Sequence, residues 1–253
     1  MNEKTQIESS ATPRRIAFLD EWRGLCVILM VVYHLLFQMT MFGVEIPIYS
    51  PLLSAMQLFI CSGFIFISGI SSRFSKNNSK RGLTVFAAGL LITVVTYFFM
   101  PELNIVFGIL HCLGACMVLH GLFDLLPDKH LPFFWMIICA MLFALSWSVT
   151  DGYLGVFDIP LYTLPSELYK TGFLFPLGFM NAGFSSFDYF PLLPWMFLFF
   201  FGSNLGIIIL RHKLPEFFYK KHLAFLGVIG RKALIIYILH APIIYGVLYL
   251  IYK

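Results

Sequence analysis

Seven apolar stretches, each close to 20 residues long, govern what this chain can fold into. They run roughly over 22–42, 52–71, 82–100, 104–126, 132–149, 188–210 and 230–251. A helix of about 20 residues crosses the ~30 Å hydrocarbon core of a bilayer. In lipid a backbone must satisfy its own hydrogen bonds, so such stretches form helices. Hydrophobic side chains make up 59% of the chain and charged ones only 12%, whereas a soluble domain carries about 25% charged residues. The expected fold class is all-α, a polytopic transmembrane helical bundle.

Charge sets the expected orientation. Basic residues fall in the N-terminal tail (Lys4, Arg14, Arg15), at the first helix entrance (Arg23), and in alternate connections. Those connections hold Arg73, Lys76, Lys80 and Arg81, then Lys129, then Arg211, Lys213, Lys220, Lys221, Arg231 and Lys232. The intervening ones hold Lys170 beside Glu45, Glu102, Asp151, Asp158, Glu167 and Asp188. This positive-inside pattern predicts a cytoplasmic N-terminus and an external C-terminus, in the plasma (inner) membrane. The net charge of +4 is therefore read as a topology signal, and nucleic acid is not an expected partner. Residues 1–13 are polar and expected to be a disordered tail, followed by one domain over 14–253. The first stretch is long and lacks a small-residue cleavage site, so it is expected to stay as a membrane helix. The five cysteines lie within the apolar stretches, where they act as small hydrophobes rather than a disulfide framework.

The first helix carries the strongest candidates for chemistry. Arg23 and His34 are eleven residues apart, so they share a helix face, roughly 16 Å apart along the axis. Gln38 extends the same stripe by one turn. Polar groups in hydrocarbon are expensive and usually face a cavity or pathway. Counting rise per residue, His34 lies roughly 18 Å from the cytoplasmic end, His111 about 10 Å below the outer boundary, and His240 roughly 15 Å into the last stretch. Three histidines are thus expected to meet near the midplane, and imidazole suits general-base work. The string HCLGACMVLH (111–120) has metal-like spacing on one helix, but a tetrahedral site draws on more than one segment. It is read as helix packing, with no metal expected. In DYFPLLPW (188–195) two prolines fix the chain's path into the sixth stretch, leaving Asp188 at the external mouth, where it would contact a substrate or orient a histidine. The long connection from about 150 to 187 is apolar and Gly/Pro-rich, and is expected to fold back as a short helix or lid.

These motifs are also similar to a known family. Asp20-x-x-Arg23-Gly24 followed by His34 resembles the opening helix of the transmembrane acyltransferase superfamily. FISG (66–69), GILH (108–111), DYFPLLPW (188–195) and GRKALIIYILHAPI (230–243) resemble the small bacterial members of the heparan-α-glucosaminide N-acetyltransferase-like family. The resemblance implies acyl transfer across the membrane, from cytoplasmic acetyl-CoA (acyl-CoA) to an extracytoplasmic glycan or amino-sugar acceptor. It implies that Arg23 meets the donor, with Asp20 holding it and Arg73, Arg81 and Arg231 as further cytoplasmic-side cations. His34 would deprotonate the acceptor or carry the acyl group itself. His111, Gln38 and Asp188 would position the acceptor, with His240 beside them, and membrane lipid would surround the whole. Two rivals remain: a proton-coupled transporter or flippase with a buried His/Gln relay, and a non-catalytic membrane subunit. Transporters often show paired repeats, and the sequence has no visible repeat.

The charge pattern makes a prediction of its own. Alkaline phosphatase fused after Tyr252 should be active in bacterial cells, and the same enzyme inserted at Lys76 inactive. The opposite pair of activities would reverse the orientation.

Overall fold

The computed structural model describes residues 14–123, 131–156, 159–212 and 214–252. The expected tail 1–13, with Lys4, and the charged positions Lys129, Asp158 and Lys213 lie outside the described residues. The chain is an all-α helical bundle, and among the described residues six helices are long and apolar enough to cross a membrane. They are α1 (Ala17–Met41), α2 (Pro51–Ser72), α3 (Asn78–Phe99), the α5 region (Pro132–Asp151), α6 (Leu192–Arg211) and α8 (Ala233–Tyr252). α5 itself covers Pro132–Leu145, and its α-helical part gives way to a 3-10 turn at Val149–Asp151. Another apolar helix, α4, is described over Ile109–Phe123; it starts later than the expected residue 104, because residues 101–108 form a 3-10 turn and a bend ahead of it.

Two further departures from the sequence reading matter. The last apolar stretch, expected over 230–251, is interrupted at Lys232: its first two residues close a short α7 (Ala224–Arg231) and the rest forms α8. The connection from 150 to 187 does fold back, but as an antiparallel hairpin, β1 (Tyr153–Val156) and β2 (Ile159–Thr163), with 3-10 turns at Ser166–Tyr169 and Phe175–Leu177. Its end is stitched to the bundle. Phe187 N–H donates to Asn104 O at 2.9 Å, Phe190 N–H to Phe107 O at 2.9 Å, and Val106 N–H to Ser186 Oγ at 3.0 Å. In α6 the residue before Pro194, Leu193, has extended backbone (ψ 123°), as expected of a residue preceding proline.

Helices in lipid gain little from hydrophobic attraction, so close packing over small residues holds them together. α1 crosses α7 at Gly24 and Gly230. A Cβ at Gly24 would lie 2.0 Å from Leu226 O, and one at Gly230 2.0 Å from Asp20 O. α2 meets α6 in the same way at Gly69, where a Cβ would lie 2.0 Å from Phe199 O. Glu21 strengthens the first crossing: its Oε1 accepts the N–H of His222 at 2.8 Å and of Leu223 at 3.0 Å, capping α7 from outside. The unpaired amides of a helix start favour such a carboxylate. The central packing unit joins Ile65, Phe107, Cys112, Cys116, Trp195 and Phe199, so both cysteines of the HCLGACMVLH string serve as core.

Backbone contact leaves no room for a side chain at these crossings. Gly24→Val and Gly69→Val should each destabilise the bundle by about 1–3 kcal/mol, the usual range for overpacking. A lowered melting temperature in detergent checks this; an unchanged one would show that the helices can separate at no cost.

Candidate functional site

The opening motif of α1 arranges the first half of the site. Asp20 is buried and its carboxylate takes two guanidinium groups, Arg15 Nε at 2.6 Å and Arg23 Nη1 at 3.3 Å. Arg23 also donates through Nη2 to Ser71 Oγ on α2 at 2.9 Å. Arg23 faces a cavity of about 310 Å³, with Arg81 of α3 and Arg231 of α7 on its wall. Among the described residues neither Arg81 nor Arg231 has a carboxylate within ion-pairing distance. Asp20 therefore balances one wall of a cavity that is otherwise cationic.

His34 lines a second cavity, of about 200 Å³, together with Tyr33, Tyr49, Gln57, Phe187 and Asp188. Its ring packs edge-on against that of His240 with centroids 4.8 Å apart. His240 donates from Nδ1 to the carbonyl of Tyr237 at 2.6 Å, which leaves Nε2 as the lone-pair nitrogen. That atom is buried with no hydrogen-bond partner among the described residues. Asp188 stands at the start of α4. Its Oδ2 accepts the N–H of Ile109 at 3.4 Å and the hydroxyl of Tyr237 at 3.4 Å. A carboxylate here is favoured by the helix dipole.

The structure brings some of the expected residues together and separates others. Arg23 and Arg231 line the first cavity, with Asp20 bonded to Arg23, and His34 and Asp188 line the second, with His240 against His34. His111 does not join them. It is 2% exposed, its Nδ1 accepts the Gly108 N–H at 3.2 Å, and Nε2 meets Thr93 Oγ1 at 3.4 Å. Thr93 gives its own proton to Ile105 O at 2.6 Å, so the His111 ring is held with its hydrogen on Nε2. It fastens α4 to α3, and the expectation that three histidines meet is corrected to a pair. Arg73 is likewise turned away from the cationic cavity. Its Nε donates to Ser203 Oγ on α6 at 2.8 Å, and the same oxygen meets His120 Nε2 at 2.7 Å. Gln38 donates to Ala241 O of α8 at 3.2 Å and joins α1 to α8 instead of lining the His34 cavity. Asp188 contacts Tyr237 and the α4 backbone rather than a histidine.

Two residues essential to this geometry carried little sequence signal. Tyr237 reads as one more aromatic in an apolar helix, and Glu21 as a charge beside Asp20. The spacing from Tyr237 to His240, one helical turn, is the only hint of the first. Among the described residues no three His, Cys, Asp or Glu side chains gather into a group that could hold a metal ion.

Both cavities lie within a stretch that matches a known family. The family model for heparan-alpha-glucosaminide N-acetyltransferase, catalytic, matches residues 15–242. The chain belongs to that family. The match spans both cavities and runs from α1 through the first half of α8, and the family assignment makes this a multi-pass membrane protein of acetyltransferase type. No curated protein and no solved structure gives a significant match.

The Ser203 hydroxyl is the partner that Arg73 and His120 share, deep in the bundle. Ser203→Val should cost about 1–3 kcal/mol, the penalty for removing a partner from buried polar groups. A denaturation midpoint within error of the wild type would remove this network from the account of stability.

Proposed function

We propose that this protein transfers an acetyl (acyl) group from cytoplasmic acyl-CoA to an extracytoplasmic glycan or amino-sugar acceptor. The observation that carries the reading is the division of labour between adjoining cavities. One presents three guanidinium groups, Arg23, Arg81 and Arg231. The other presents an imidazole and a carboxylate, His34 and Asp188, among aromatic walls. Arginine suits phosphate, and a cationic cavity at the end of the bundle that the charge pattern makes cytoplasmic fits a CoA donor. The cavity is smaller than a whole CoA molecule, so the pantetheine arm would enter and the nucleotide phosphates would stay at the mouth.

In this reading the acceptor enters from the opposite end, past Tyr49, which is 94% exposed, and Phe187. Aromatic faces and amide groups such as Gln57 suit a sugar ring. The acceptor O–H or N–H gives its proton to His34 as the oxygen or nitrogen attacks the thioester carbonyl carbon. The C–S bond breaks, and the proton passes from His34 to the thiolate sulfur of CoA. Asp188 would orient the acceptor through a hydrogen bond. The plasma membrane is the location this chemistry calls for, with donor on one side and glycan on the other.

Donor binding and chemistry can be tested apart. A ligand that binds only the folded state, at 100 times its dissociation constant, adds about 2.7 kcal/mol of stability. Acetyl-CoA should therefore raise the melting temperature of the detergent-purified protein. The rise should shrink in Arg23→Ala and Arg81→Ala but persist in Arg73→Ala. His34→Ala should keep the rise and lose acyl transfer to the acceptor by about 100-fold or more, the scale of a lost general base. Absence of any rise in the wild type would favour a transporter with a buried His relay.

A further inference from the structure

The two cavities meet at a shared wall. Phe64 of α2, Ile109 at the start of α4 and Tyr237 of α8 line both of them. Phe64 and Ile109 bring only hydrocarbon to this wall. Tyr237 brings a hydroxyl, and that hydroxyl donates to Asp188 Oδ2 at 3.4 Å. The same oxygen holds the backbone N–H of Ile109 at 3.4 Å, so one carboxylate oxygen ties two of the three wall residues together. Asp188 is itself held close to α4: a Cβ on Gly108 would lie 2.7 Å from Oδ2. The carbonyl of Tyr237 fixes His240, whose ring packs on His34. A single residue thus divides the cavities with its ring, reaches Asp188 with its hydroxyl, and orients the histidine pair with its backbone.

We propose that Tyr237 is a positioning residue whose hydroxyl, latched on Asp188, keeps the thioester apart from the water of the His34 cavity until an acceptor binds. The inference rests on the acyl-CoA reading above. A base that serves an acceptor also serves water. Water oxygen would attack the thioester carbonyl carbon and the C–S bond would break. One water proton would pass through His34 to the thiolate sulfur, and the other would leave with the acetic acid. The products, acetate and free CoA, waste the donor. An acceptor hydroxyl or amine that donates to Asp188 competes with Tyr237 for the same oxygen. Its arrival releases the latch, so the wall opens when the acceptor, and not water, stands beside His34.

The test compares wild type with Tyr237→Phe, which keeps the ring and loses only the hydroxyl. Purified protein is given acetyl-CoA with no acceptor, and free CoA is measured by chromatography. Loss of one hydrogen bond should raise this hydrolysis about twofold to tenfold. A second readout needs no catalysis. Ser68 lines the arginine cavity and Cys61 the other, while Cys26, Cys112, Cys116 and Cys139 are buried. In sealed right-side-out vesicles, Ser68→Cys in a Cys61→Ser background should react slowly with a membrane-impermeant maleimide added outside. Adding Tyr237→Phe should speed that labelling. Equal hydrolysis and equal labelling in the two proteins, with acetyl-CoA binding intact, would overturn the proposal. If the wild type fails to bind acetyl-CoA, the donor reading falls. Labelling alone then decides the partition, and equal rates overturn it.

Discussion

The contact on which the rest of the molecule depends is the backbone crossing of α1 and α7 at Gly24 and Gly230. A Cβ at either glycine would sit 2.0 Å from a main-chain oxygen of the other helix. Within a bilayer, lipid tails solvate leucine as well as a neighbouring helix does, so association relies on close fit. This crossing sets Arg23 and Arg231 on one cavity wall. It also lets Glu21 reach the open amides that start α7. Four residues of the short motif DEWRG meet their neighbours in different ways. Asp20 holds arginines, Glu21 caps a helix, Arg23 faces the cavity, and Gly24 permits the close approach.

Hydrogen bonding sorts the histidines. A buried polar group costs free energy unless it is paired, and His111 and His120 are paired through both ring nitrogens. They fasten α4 to its neighbours. His240 instead has one nitrogen bound and the other open, and His34 faces a cavity. Proton transfer requires an open lone pair beside space, and of the two histidines His34 lines the cavity, which is why the functional reading places the base there. Asp188 gains its importance from position rather than burial. It sits where the α4 start, the approach to α6 and Tyr237 of α8 converge.

Much of this was legible in the sequence, for identifiable reasons. Apolar length alone indicated the helices, because a bilayer demands about 20 residues and internal hydrogen bonds. Helical periodicity placed Arg23 and His34 on one face, and the structure gives each a cavity. Helical rise placed His240 at the right depth for His34, but the same arithmetic misjudged His111. Depth fixes only one coordinate, and the rotation of α4 turns His111 towards Gly89 and Thr93 of α3. Arg73 misled in a similar way. Its charge belongs to the cytoplasmic pattern, yet its direction is decided by Ser203, 130 residues later.

By itself the sequence determined the membrane class, the alternating charge, the resemblance of the motifs and the face shared by Arg23 and His34. Each follows from composition or from the fixed geometry of one helix. The tertiary structure decided which polar groups meet: Asp188 with Tyr237, His34 with His240, Ser203 with both Arg73 and His120. It also decided that Phe64, Ile109 and Tyr237 stand between two cavities. Those outcomes depend on how helices rotate and cross, and that is fixed by contacts between residues far apart in the chain.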